Sequence, residues 1–214
     1  MVIKPKSYKQ LAYEELKENI IEGTYKPNQV LNERSISEDF GISRTPIREA
    51  FQRLYYEGWL VTKDNKKNVV REFNLEYIIM NQKVRESLEI LAIIESIDKF
   101  KDSDVKNLEK ITEEQEQIIK EGNFYKYIKL DRKFHEYIYL ISENSVLTKI
   151  LSNLNDTVRY FGQIALSYPN RQEQTVKEHR KIIEEIKNKD ERKAAEAMKI
   201  HMENTLDAIK YSYK

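Results

Sequence analysis

The sequence predicts a mainly α fold in two parts, three short helices closed by a β-hairpin and then an antiparallel bundle of about six helices. Three observations carry this. Apolar residues recur at three- and four-residue steps along most of the chain. With 5 Gly and 4 Pro among 214 residues the composition is that of a helix-rich globular protein. Strand character is confined to a stretch near residues 59–70, and beyond Asn74 the periodicity is helical throughout.

In the first part, Tyr8, Leu11, Ala12, Leu16 and Ile20 mark one face of a helix that Gly23 closes. Pro27 breaks the chain. Asn32 offers a cap to a short second helix marked by Ile36 and Phe40, and Gly41 supplies the turn after it. Thr45 as cap and Pro46 as first residue open a third helix, with Ile47, Ala50, Phe51 and Leu54 as its buried face and an end near Gly58. Trp59 to Thr62 and Val69–Val70 then flank a polar stretch centred on Asp64 and Asn65. This reads as a hairpin, because Asp and Asn tolerate the positive φ its turn needs. A boundary at 73/74 separates domains 1–73 and 74–214. In the second, helices are expected at about 75–100, 104–121, 124–142, 145–166, 171–188 and 191–212. Ser103, Asn123, Asn144, Asn170 and Asp190 are the expected caps, with Glu173 placed for a capping box.

Composition excludes several function classes. No stretch reaches the roughly 18–20 apolar residues of a membrane span, and Met1 to Lys9 lacks the apolar core of a secretory signal. A cytoplasmic location without a membrane partner is therefore expected. The absence of cysteine removes disulfides, thiol nucleophiles and thiolate metal sites. A net charge of +1 gives no overall case for a nucleic-acid partner, so local charge must carry it; Lys63 to Arg71 holds four basic residues and one acidic.

Three helices followed by a hairpin is the order of a winged helix-turn-helix, whose third helix enters the DNA major groove. Arg44 and Arg48 stand four apart near the start of that helix, on one face, where guanidinium groups reach base edges. Arg53, Lys63, Lys66, Lys67 and Arg71 are placed to neutralise phosphates. The competing reading is an ordinary solvated basic face on a packing domain.

The run Asn32, Glu33, Arg34, then Phe40 to Ala50 (Phe40, Gly41, Ile42, Ser43, Arg44, Thr45, Pro46, Ile47, Arg48, Glu49, Ala50), with Leu54, Glu57, Gly58, Trp59 and Leu60, closely resembles the GntR family of bacterial transcription regulators. The resemblance covers residues 8–73 and implies that Arg34, Arg44 and Arg48 contact DNA, assisted by Ser43 and Thr45. Asn65 stands where the family often has glycine at the wing tip, so its side chain, next to Lys66, meets the place where backbone approaches the minor groove.

In the bundle, Asp131 and His135 fall on the stripe Phe124, Tyr127, Ile128, Phe134, Ile138 and Ile141. His179 lies between Val176 and Ile183, and His201 lies in line with Ala194, Ala197, Met198, Thr205 and Ala208. Four ionisable side chains thus point inward from three helices, and each needs a partner. Either each imidazole bonds a neighbouring backbone or carboxylate, or Asp131, His135, His179 and His201 hold a divalent cation. Such donors suit Zn, Ni, Mn or Fe.

Residues 74–214 resemble the FCD type of effector domain through Arg85, Leu88 and Glu89, through Asp131, Phe134, His135 and Asn144, and through Glu178, His179 and His201. Six helices resemble its VanR-like branch. The resemblance implies that the Asp and three His positions hold the cation and that Arg85 meets a ligand carboxylate. Spacing alone leaves open a salt bridge from Arg85 to Glu89, four residues on, or to another acidic residue. Arg159 is a further candidate for the cavity wall. The expectation is a homodimeric regulator, a repressor by resemblance, that binds a pseudo-palindromic double-stranded DNA operator and is controlled by a small carboxylate effector bound near the metal. Two alternatives are a metal-dependent enzyme using the Asp/His set and a regulator whose metal is purely structural.

Overall fold

A computed structural model describes residues 6–63, 67–166 and 168–213. The chain divides into two compact units, Met1–Phe73 and Asn74–Lys214. In the first, α1 (Tyr8–Ile21), β1 (Val30–Leu31), α2 (Glu33–Asp39), α3 (Arg44–Tyr56), β2 (Leu60–Lys63) and β3 (Lys67–Val70) follow one another. The strands form an antiparallel sheet in the order β1-β3-β2. α1 packs on α3 around Leu16, Ile20, Ile47, Phe51 and Leu54, all buried. Trp59 meets Phe73 edge-on at 5.6 Å. Gly58, at φ +79°, turns the chain from α3 into β2, and a Cβ there would lie 3.1 Å from the Arg71 guanidinium.

Two details differ from the sequence reading. β1 is an added strand: two residues are too few to show alternation, and only pairing with β3 defines it. α3 begins at Arg44 with Ser43 as its cap, so Pro46 sits third in the helix. Proline fits there because the first turn's N–H groups have no intrahelical acceptor.

The second unit is α4 (Leu75–Ser96), α5 (Asp102–Glu121), α6 (Phe124–Ser142), α7 (Ser145–Ala165), α8 (Arg171–Lys187) and α9 (Glu191–Ser212). Asn74, Asn123, Asn144 and Asp190 cap their helices through side-chain oxygens. α5 instead starts at Asp102 with Lys101 as its cap, two residues before Ser103, and Asp104 Oδ2 accepts the Lys101 backbone N–H at 2.9 Å. Asn170 takes left-handed backbone at φ 57° and makes no side-chain cap. α9 lies against α4, α7 and α8, while α5 and α4 flank α6. Phe124, expected on the buried stripe of α6, is exposed, because it stands at the helix start ahead of the first core contact at Tyr127. Among the described residues no helix is long and apolar enough to cross a membrane.

Candidate functional site

The burial of Ile47, Ala50, Phe51 and Leu54 against α1 turns the opposite face of α3 outward, and Arg44 and Arg48 stand exposed on it. Arg48 places Nε and Nη2 at 3.3 and 3.2 Å from Glu33 Oε2 at the start of α2. Arg34, one position on from Glu33, is exposed and bonds Glu38 at 2.8 Å. Ser43 and Thr45 are exposed at the start of α3, and the Ser43 side chain makes no capping bond. These five residues share the surface where α2 and α3 begin, and the start of α3 carries the positive end of its helix dipole. Lys63 and Lys67 stand exposed on the hairpin strands, whereas Asn65 and Lys66 lie outside the described residues.

In the bundle, α6, α8 and α9 bring His135, His179 and His201 into one buried cluster whose ligand atoms lie within 4.8 Å of one another. Asp131, a turn before His135, places Oδ1 3.6 Å from His179 Nε2. Each imidazole is held from behind. Glu89 Oε2 accepts from His135 Nδ1 at 2.9 Å, Gln115 Oε1 from His179 Nδ1 at 2.9 Å, and Glu178 Oε2 from His201 Nδ1 at 2.8 Å.

The ionisation of these partners fixes the tautomers. Burial pushes Glu89 up, but the charges of His135 and Arg85 outweigh it and hold the carboxyl at about 2. Glu178 is likewise held at about 2, burial being outweighed by its bonds from His201 and Arg171. An ionised carboxylate only accepts, so His135 and His201 donate from Nδ1 and turn Nε2 toward the cluster. Burial, reinforced by the neighbouring imidazoles, drives His179 well below the ordinary histidine value, and burial also lowers His201. Nε2 of His135 and of His179 is buried without a hydrogen-bond partner. Imidazoles anchored at Nδ1, two of them with Nε2 buried and unpartnered, beside a carboxylate fit a divalent cation.

Against this cluster lies a cavity open at its mouth, which Asp131 and His201 line together with Gln82, Arg85, Arg159 and Arg171. Arg85 Nε is 3.0 Å from Glu89, so the internal salt bridge that its spacing allowed is formed in a residue that also lines the cavity.

The sequence pattern of the FCD domain matches residues 82–204, and that of the bacterial regulatory proteins of the gntR family matches residues 8–70. The chain belongs to the GntR family. This GntR-family chain is 32% identical over 209 residues to the HTH-type transcriptional regulator YdhC of Bacillus subtilis, covering 97% of this chain and 93% of that one. It is 21% identical to the HTH-type transcriptional repressor RspR of Escherichia coli, over 94% and 88% of the two chains. The solved structure of E. coli McbR/YncC shares the fold, with TM-score 0.81 at 20% identity over 98% of this chain and 100% of that one. The protein is thus a DNA-binding transcription regulator carrying an FCD domain, and the enzyme alternative falls because its relatives are regulators.

Two polar residues of this regulator's site escape a reading of its sequence. Gln115 follows Leu108 and Ile111 on the apolar stripe of α5, a spacing that signals its burial but not its partner. Arg171, 3% exposed, opens α8, where nothing local marks an arginine as buried.

Proposed function

We propose that this GntR-family protein is a homodimeric repressor whose hold on a pseudo-palindromic operator is set by a small carboxylate bound beside a divalent metal in the FCD domain. The observation that carries the reading is the meeting of three Nδ1-anchored imidazoles with an arginine-lined cavity that shares Asp131 and His201 with them. Asp131, His135, His179 and His201 would hold the metal, of the Zn, Ni, Mn or Fe class, and the bound cation supplies a positive anchor for a carboxylate oxygen. Arg85 and Arg159 line the cavity and favour an anion there.

Arg44 and Arg48 read base edges, while Arg34, Ser43 and Thr45, with Asn65 and Lys66 of the wing, secure the backbone. One such helix covers too few base pairs, which a two-fold dimer remedies. Met80, Val84, Leu91 and Ile94 recur at heptad spacing on the exposed side of α4, at 53, 53, 38 and 38% exposure, and support pairing through the bundle. The repressor RspR among its relatives supports the negative sign of control. The effector acts only by binding one arrangement of the dimer better than another.

The test is elemental analysis of the purified chain, then operator binding by fluorescence anisotropy with the chain stripped, metal-loaded, and metal-loaded with candidate carboxylates. The reading requires bound metal and a carboxylate that weakens operator binding only in the loaded chain. Metal that raises the melting temperature, with no carboxylate altering DNA affinity, makes the cation structural and ends the gating claim.

A further inference from the structure

Two carboxylates, Glu89 buried and Glu178 largely so, each hold a cavity arginine and a cluster imidazole at once. Arg85 on the cavity wall gives Nε to Glu89 Oε1 at 3.0 Å, and Glu89 Oε2 accepts from His135 Nδ1 at 2.9 Å. Arg171, also on that wall, gives Nη1 and Nη2 to Glu178 at 2.8 and 2.9 Å, and Glu178 Oε2 accepts from His201 Nδ1 at 2.8 Å. The third imidazole departs from this pattern. His179 is held by the neutral Gln115 of α5, which does not line the cavity.

We propose that the two Arg–Glu–His relays couple the anion and cation subsites, so that occupancy of either tightens the other. This rests on the metal-and-carboxylate reading above. Each carboxylate divides its accepting power among a guanidinium, an imidazole and one neutral donor, the Tyr139 hydroxyl for Glu89 and the Asn204 amide for Glu178. An anion drawn to the guanidinium relieves that demand, and the carboxylate then accepts more fully from Nδ1–H and makes Nε2 a better donor to a cation. The reverse follows with the same factor, since binding free energies are reciprocal. Glu89 is 0% exposed and the Glu178 side chain 13%, so water is poorly placed to replace either partner. Glu89 and Glu178 act here as positioning residues. Gln115 fixes its imidazole without transmitting anything from the cavity.

The full chain, stripped by chelation, is titrated with Co²⁺ and followed by the visible absorption of imidazole-bound cobalt. The titration is repeated with saturating acetate, benzoate or succinate, whichever calorimetry shows bound to the cobalt-loaded chain. The quantity read is the ratio of the two Co²⁺ dissociation constants. A ratio of about ten is expected for the unaltered chain. It should fall below about two in the Glu89→Gln, Glu178→Gln double variant, which still binds cobalt more weakly, and stay at full size in Gln115→Ala. Should the double variant lose its helical circular dichroism, Arg171→Lys, which lacks the two-pronged bond to Glu178, should lower the ratio to about three. A full ratio in either relay variant overturns the relay coupling and leaves the proposed function standing, whereas a ratio of one in the unaltered chain overturns both, since a cation that anchors the carboxylate must itself be tightened by it. Absence of any cobalt spectrum, or of any bound carboxylate, overturns the proposed function and the coupling with it.

Discussion

Phe134 lies flat on His179, with ring centroids 3.8 Å apart and planes 4° from parallel. Both are fully buried, and Gln115 holds the same imidazole by its edge. Phe134 therefore fixes the tilt of a ring whose Nε2 faces the cluster. Phe134→Ala should cost about 3–5 kcal/mol of stability, as loss of a buried aromatic ring does. Phe134→Leu keeps most of the volume but not the flat face, so metal affinity should drop by more than its stability loss explains. Urea unfolding beside a cobalt titration checks both; equal metal affinity in the leucine variant would show the stacking to be packing only.

Arg44 and Arg48 bury little of themselves in the protein, so removing them should spare the fold. Each Arg→Ala change should weaken operator binding by about 1–3 kcal/mol and relax sequence preference, while binding to unrelated DNA falls only slightly. Anisotropy on matched and scrambled duplexes at one salt concentration measures this. A double variant that still prefers the operator as strongly would remove α3 from base reading.

Leu91 stands in the middle of the apolar stripe on α4. Leu91→Glu places a charge where two copies would meet, and sedimentation should show a shift from dimer to monomer with the helical content kept. Operator affinity should then fall steeply, because two half-sites are no longer held together. An unchanged dimer would put the contact on another face.

Glu57 ties α1 to the end of α3: its carboxylate accepts from Tyr13 at 2.8 and 2.7 Å, from Lys17 at 2.6 Å and from Arg53 at 3.1 Å. Burial raises its pKa, yet the bonds from Lys17 and Tyr13 outweigh this and set it below the ordinary glutamate value. A carboxyl depressed in the folded state binds its proton more readily when unfolded. Its stabilisation is complete above the unfolded pKa of about 4.3 and is lost as pH falls through the lower folded value. Urea midpoints measured from about pH 6 to pH 3 should decline less steeply in Glu57→Gln. Equal slopes would show that the cluster carries no pH dependence.

The bundle was legible because its helices obey one local rule. Apolar spacing and capping Asn and Asp residues place α6 at 124–142 and α9 at 191–212, the bounds the structure has. Where a cap is formed by reaching back, as Asp104 does to Lys101, the identity of the cap residue carries no signal and the start of α5 shifts. The inward-facing histidines were legible for the same reason. Their partners were not, because Glu89, Gln115 and Glu178 meet the imidazoles across 46, 64 and 23 residues of chain. Local periodicity says which face is buried. It says nothing of what waits on the other side.

The short strand β1 has an architectural consequence. Val30 and Leu31 pair with Val69 and Asn68 at the base of the hairpin, and the next residue, Asn32, caps α2. The hairpin is thereby stitched to the segment that carries Arg34, so tilting the one drags the other. A one-residue slip of β3 would turn Val69 out of the interior and pull the α2 cap out of register. An insertion within β1 or β3 would break that pairing and carry the start of α2, with Arg34, out of place.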